Sequence, residues 1–243
     1  MDELDQIEQK YRFILPDAYR AMSAAGWLDT NSPDPLYFWL PGAKWLSPAE
    51  MIEYEPEDYQ RPGFVPFASE PNGSHWCWWP EAHPGAVVSC PNDCEDGEFY
   101  AASFLDFVYQ RLLDYAGCVP RQEEQEARRY YYESAVRLSN YFPASWKETL
   151  NALAAAELVQ LSYHGRDAGW GLMTNEEHSE ILQRDIEFPL LGQTFQWVYP
   201  LSEEEEETAA LYRKISLEAD RTRPAEEVVA QLEAAKAQHR DKI

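Results

Sequence analysis

Residues 63–79 read GFVPFASEPNGSHWCWW and decide the fold of the leading part of the chain. Two runs rich in aromatic and β-branched residues, 64–68 and 75–79, flank Asn72-Gly73, a dipeptide that suits a tight β-hairpin turn. Pro66 lacks a backbone donor, which favours a sheet edge or a bulge for the first run. The stretch predicts a hairpin, and the apolar run 86–90 predicts a third strand.

Helical patterns lie on both sides of these strands. Residues 4–11 place apolar side chains on one face, and a second helix is expected from Pro16 to the cap residue Gly26. Ser103 and Asp106 have the spacing of a capping box, and an apolar stripe follows them. Helices, a few strands and a closing helix together predict an α+β domain over residues 1–120.

The chain changes character beyond Pro120. Residues 121–200 predict a helical region with one hairpin, around the polar loop 164–169, and a helix capped by Thr174. The segment 146–182 also resembles the back half of a winged-helix domain. Residues 201–243 predict C-terminal helices, the first beginning with five glutamates after Ser202, where the helix dipole favours negative charge.

The charge of the chain is strongly negative, at −23, and it is uneven. Residues 1–120 hold 6 Lys and Arg against 20 Asp and Glu. Such a field repels nucleic acid and anionic membranes and speeds encounter with basic proteins. We therefore expect a basic protein partner, with no direct binding to nucleic acid or membrane.

The N-terminal residues MDELDQIEQK contain no apolar export signal, and no run reaches the length of a membrane span. The expected location is the cytoplasm, where the four cysteines are reduced thiols. Cys77, Cys90 and Cys94 with His75 and His83 raise a zinc alternative, but the spacing lacks a second ligand pair. No nucleophile elbow, metal-protease helix or phosphate-binding loop occurs, so we expect no catalytic residue, metal or cofactor.

Acidic and aromatic side chains clustered in the first 120 residues are the candidate partner-binding site. Carboxylates in loops would meet the basic partner, and tryptophans would anchor a desolvated centre, although alternation along a strand sends at least one of them into the core. The predicted contact residues are Glu55, Glu57, Asp58, Trp76, Trp78, Trp79, Glu81, Asp93, Glu95, Asp96 and Glu98.

Residues 1–120 resemble the SUKH superfamily, which includes yeast cell-wall-assembly regulators and bacterial immunity proteins. The resemblance is carried by the order of short motifs. Two departures concern Ser74 and Trp79, which stand where the family commonly has acidic residues. The matching motifs are Ile7-Glu8, 15–19 (LPDAY), Gly26, 45–47 (WLS), 50–52 (EMI), 64–68 (FVPFA), Asn72-Gly73, Val87-Val88 and 102–107 (ASFLDF).

The resemblance implies a mixed, largely antiparallel sheet with helices packed on one side, and a non-catalytic role. It favours an immunity protein that neutralises a basic, nuclease-type bacterial toxin through its acidic surface. The alternative is an intracellular regulatory scaffold of the cell-wall-assembly-regulator type. An acidic hydrolase is a third hypothesis, since many carboxylates are present.

Overall fold

The computed structural model of the chain describes residues 2–29, 44–57, 60–92, 94–163 and 166–199. Met1–Val198 form one compact unit. The helices predicted over 201–243 lie outside the described residues, and so do Asp58 and Asp93 of the predicted contact set.

Seven α-helices occur in these ranges, and none of them is long and apolar enough to cross a bilayer. They are α1 Glu3–Tyr11, α2 Asp17–Ala24, α3 Pro48–Glu53, α4 Phe104–Ala116, α5 Glu124–Arg137, α6 Ala144–Ala155 and α7 Asn175–Asp185. The strands are β1 Lys44–Trp45, β2 Val65–Ser69, β3 His75–Trp78, β4 Val87–Cys90, β5 Asp96–Ala101, β6 Val159–Tyr163, β7 Arg166–Gly171 and β8 Thr194–Gln196.

Six strands form one sheet in the order β1-β2-β3-β4-β5-β8, and β6 pairs with β7 in a separate hairpin. The predicted β2–β3 hairpin is present: Gly73 adopts a φ of 88° in its turn, and the register shifts between Pro66 and Ala68, as a bulge requires. The α+β class is thus confirmed. The expected mixed sheet is antiparallel at every described strand pair.

The helix α4 supplies the centre of the core on one face of the sheet. Its N-cap is Ser103, whose Oγ accepts a hydrogen bond from the backbone N–H of Asp106 at 3.1 Å, as the sequence predicts. Phe104 and Phe107 of this helix are fully buried against Phe67 of β2. Each such ring stabilises the fold by about 1.5–3 kcal/mol relative to an exposed one.

The core continues beyond residue 120. Tyr131 of α5 donates its O–H to the carbonyl oxygen of Leu112 at 2.8 Å, and Trp146 of α6 stacks on Tyr109 with ring centroids 4.2 Å apart. The strand β8 pairs with β5 and completes the large sheet. Residues after 120 therefore belong to the same core as the hairpin that precedes them, and β8 is an element that the sequence patterns did not reveal.

Candidate functional site

The tryptophans of β3 face the helices. The ring of Trp78 lies 4.4 Å from Phe67 and 5.0 Å from Tyr19, and that of Trp76 lies 5.2 Å from Phe107, between centroids. Their exposed fractions are 0% for Trp78 and 6% for Trp76. The prediction that these two side chains contact a partner is wrong, because the folded chain leaves them almost no accessible surface.

Trp79 follows β3 and is half-buried on the opposite face. Its ring packs against Phe64, Phe99 and Phe195, with centroids 5.0, 5.7 and 4.6 Å away. Phe195 lies on β8, so the unpredicted strand supplies part of this cover. Trp79 keeps some accessible surface, but most of its ring is used in packing.

The predicted contact carboxylates that the structure describes are all exposed. Glu55 lies 3.3 Å from Lys10 Nζ, whereas the other five have no ion-pair partner within the described part of the chain. On α5, by contrast, Glu124, Glu126 and Glu133 pair with arginines of their own helix. These five charges are therefore unpaired among the described residues: Glu57, Glu81 and Glu95 lie in loops, whereas Asp96 and Glu98 lie in β5 and not in a loop as predicted.

Trp197 joins two of the acidic loops. Its backbone N–H donates to the carbonyl oxygen of Glu95 at 3.2 Å, and its carbonyl oxygen accepts from the N–H of Arg61 at 2.9 Å. Its indole Nε1–H donates to the carbonyl oxygen of Cys94 at 3.0 Å. The loop after α3 and the loop before β5, far apart in sequence, are thus held side by side by one residue.

A cavity of about 200 Å³ opens where these segments meet the sheet. The rings of Tyr11, Tyr54, Phe64, His75 and Trp197 contribute to its lining, and we call it the aromatic cavity. Phe64 was predicted only as part of a strand and His75 only as a strand residue and candidate zinc ligand, and no sequence signal linked the five rings to one another. The remaining lining residues are Lys10, Pro56, Gln60, Arg61, Pro62, Gly63, Cys77 and Cys90.

Four predicted carboxylates lie next to this lining. Glu55 and Glu57 flank the lining residue Pro56, and the backbone of Glu95 is bonded to Trp197. A Cβ added to Gly63 would lie 3.3 Å from Oε2 of Glu81. We call Glu55, Glu57, Glu81 and Glu95 the acidic rim. Asp96 and Glu98 lie farther along β5, opposite β8.

Two cations contribute to the lining and hold the loops in place. Lys10 Nζ donates to the carbonyl oxygen of Ile52 at 2.8 Å and lies near Glu55, as above. Arg61 Nε donates to the carbonyl oxygen of Val198 at 3.2 Å. Acidic residues therefore adjoin the lining of the aromatic cavity, whereas the charged residues within the lining, Lys10 and Arg61, are positive.

The polar groups on the sheet side of the cavity are uncharged. Burial lowers the pKa of His75, so its imidazole is neutral near pH 7. Burial, assisted by a hydrogen bond with Cys90, raises the pKa of Cys77 well above its ordinary value and keeps it a thiol. This wall of the cavity carries no charge, and the Nδ1 atom of His75 is buried there without a hydrogen-bond partner among the described residues.

The zinc alternative requires a third ligand beside the paired Cys77 and Cys90, and Cys94 does not share their buried environment. Cys77 and Cys90 are buried, whereas Cys94 is exposed and donates its S–H to the carbonyl oxygen of Asp96 at 3.2 Å. Within the described ranges, no group of three or more His, Cys, Asp or Glu is arranged to hold a metal ion. The two buried cysteines belong to the core and the third to a loop.

The hydrolase alternative requires a carboxyl group with a raised pKa in a cleft. Burial raises the pKa of Asp106, but its carboxylate accepts from Ser103 Oγ at 2.6 Å at the start of α4. Asp106 does not line the aromatic cavity. This carboxyl lies in the first turn of α4, bonded to the N-cap Ser103, and it gives a hydrolase at the cavity no support.

Comparison with protein-family models, curated proteins and solved structures gives no match to this chain. The SUKH resemblance therefore stays a prediction from the short motifs of residues 1–120. A function has to follow from the aromatic cavity, the acidic rim and the net charge.

Proposed function

We propose that the chain is a non-catalytic binding protein that holds a basic protein partner against the acidic rim. The supporting observation is that acidic residues from three separate chain segments adjoin the lining of one cavity. Glu57, Glu81 and Glu95 have no ion-pair partner among the described residues. Lysines and arginines of a partner would supply the missing counter-charges, and the field of the chain would accelerate the encounter to about 10⁸–10⁹ M⁻¹s⁻¹.

The partner we propose is the catalytic domain of a nuclease-type toxin, which makes this chain an immunity protein of the cytoplasm. A nuclease presents a cationic groove to the phosphates of nucleic acid. Carboxylates of the acidic rim can take the place of those phosphates and block the groove without turnover. The net charge of −23 and the motif resemblance of residues 1–120 both agree with this role.

The test is co-expression with basic toxin domains encoded in the same genome, beginning with any in a neighbouring gene. We expect rescue of growth and a 1:1 complex by light scattering. The rim variant Glu57→Lys/Glu81→Lys/Glu95→Lys should weaken binding by about a hundredfold or more, since each close charge pair is worth roughly 1.5 kcal/mol or more.

The matched control is Glu148→Lys/Glu157→Lys/Glu176→Lys, which changes the net charge equally at exposed positions outside the rim. Its affinity should change by about threefold or less, through the long-range field alone. An equal loss in both variants would show that net charge, not the rim, governs binding. Failure to bind any basic toxin domain of the genome would remove the proposed function.

A further inference from the structure

The aromatic cavity carries information about the partner beyond its charge. Resting on the proposed function, we propose that the cavity receives one aromatic side chain of the basic partner, which anchors the interface while flanking basic residues meet the acidic rim. Tight protein interfaces concentrate their binding energy in such central, desolvated anchors with a polar surround.

The lining favours an apolar occupant. Tyr54 and His75 meet edge to face with centroids 5.3 Å apart, and Phe64 and Trp197 are themselves buried residues of the core. The imidazole of His75 and the thiol of Cys77 are uncharged, so they offer no counter-charge to an ionised occupant. A ring entering this space can add further edge-to-face contacts to those already present.

The positive charges in the lining distinguish between occupants. Lys10 and Arg61 repel a lysine or arginine side chain, so the basic groups of the partner stay outside, at the rim. Lys10 Nζ is already bonded to the carbonyl oxygen of Ile52 and paired with Glu55, and Arg61 Nε is bonded to the carbonyl oxygen of Val198, so both cations are held in place at the lining. The lining therefore disfavours a cationic side chain, and its rings favour an aromatic occupant over an aliphatic one through edge-to-face contacts.

The acidic rim determines which residues should flank that aromatic residue on the partner. Glu55 and Glu57 lie beside one lining residue, Pro56, while Glu81 and Glu95 adjoin Gly63 and Trp197. A ring seated in the cavity would have carboxylates on several sides. The chemistry that fits is an aromatic residue with lysine or arginine close to it on the partner surface.

The probes are four capped pentapeptides, Lys-Lys-X-Lys-Lys, with X as Phe, Leu, Ala or Lys, titrated by calorimetry at low salt. The Phe peptide should bind about tenfold or more tightly than the Ala and Lys peptides, because burial of a large apolar side chain contributes roughly 1.5–3 kcal/mol. The Leu peptide should lie between them.

Two variants close the cavity from outside, Pro56→Trp and Pro62→Trp, since both prolines are exposed lining residues. Each should remove most of the Phe preference while leaving the charge-driven binding of the Ala peptide within about twofold. Pro84→Trp is the matched control, at an exposed proline outside the lining, and it should keep the preference. A chemical shift of the Trp197 indole proton with the Phe peptide alone would confirm the location.

The two proposals fail in different ways. Equal affinity for all four peptides, with normal salt dependence, would overturn the anchor and leave the acidic rim intact. A Phe preference that survives both closing variants would place the ring elsewhere and also overturn it. Absence of binding by every peptide at low salt would argue against the rim itself, and the proposed function would fall with it.

Discussion

His178 Nε2 lies 3.1 Å from Asp114 Oδ1 and so joins α7 to α4. A second contact runs the other way, since Tyr109 of α4 donates its O–H to Asp185 of α7 at 2.6 Å. Each helix thus provides one carboxylate that contacts a side chain of the other helix. Asp114 also accepts from Tyr100 at 2.5 Å, which connects the pair to β5.

The first prediction concerns pH. Burial alone would raise the pKa of Asp114, but hydrogen bonds from His178 and Tyr100, with the charge of Arg111, hold that pKa below its ordinary value. A depressed folded-state pKa stabilises the fold above the unfolded value of about 3.9, and this stabilisation is lost as pH falls through the folded pKa. Thermal unfolding should therefore show Tm falling below about pH 4.

The matched variant is Asp114→Asn, which keeps the shape of the side chain and removes its titration. It should be less stable at pH 7 by about 1–3 kcal/mol, because charge-assisted hydrogen bonds are lost, and its Tm should fall less steeply in acid. Identical pH profiles for the two proteins would contradict the role given to Asp114.

The second prediction concerns Tyr109→Phe. The carboxylate of Asp185 has a side-chain exposure of 3%, and Arg184 pairs with it at 2.7 Å. Losing the tyrosine O–H leaves one buried acceptor less well satisfied and should lower the free energy of unfolding by about 1–2 kcal/mol. Urea denaturation measures the loss, and hydrogen exchange should be faster in α7. Tyr132→Phe, at a side chain 61% exposed, is the control and should change stability little.

The third prediction separates packing from contact at Trp78. Trp78→Ala should destabilise the fold by about 3–5 kcal/mol, as expected for a large core ring. Trp78→Phe should be milder, because it keeps a ring and removes an indole N–H that is buried without a partner in the described part of the chain. Partner affinity per folded molecule should stay unchanged in Trp78→Phe, and a loss of affinity at full stability would restore Trp78 as a contact residue.

The fourth prediction concerns the packing of β8 against β5. A Cβ on Gly97 would lie 2.6 Å from Phe195 Cζ and 2.8 Å from the carbonyl oxygen of Ser89. Gly97→Ala should therefore displace β8 and lower stability by about 1–3 kcal/mol. Gly117→Ala is the control, with a φ of −76° and a nearest contact of 3.4 Å, and it should be nearly neutral. Unchanged amide protection in β8 of Gly97→Ala would contradict this account.

Local signals in the sequence were sufficient for local structure. The turn at Asn72-Gly73, the cap at Ser103 and the box of Thr174 with Glu177 each depend on residues a few positions apart, and all three are present in the structure. Alternation along β3 also predicted that at least one tryptophan faces the core.

The candidate site could not be predicted from such local signals. The aromatic cavity brings Tyr11, Tyr54 and Trp197 together from distant segments, and pattern periodicity carries no information on such pairings. Alternation also could not show that Trp79 would be covered, since part of its cover comes from Phe195 of β8, a strand of three residues with too little pattern to detect. The exposure of the predicted carboxylates was easier to predict, because charged side chains are rarely buried.

The position of β8 at the end of the large sheet has a practical consequence for work with fragments. Cutting the chain near residue 120, where the pattern of helices and strands changes, would remove β8, which pairs with β5. The backbone donors and acceptors of β5 on that side would then be exposed. An exposed sheet edge of this kind favours pairing between copies of the fragment, and hence precipitation. Soluble material for crystallisation or labelling should accordingly extend at least through Val198.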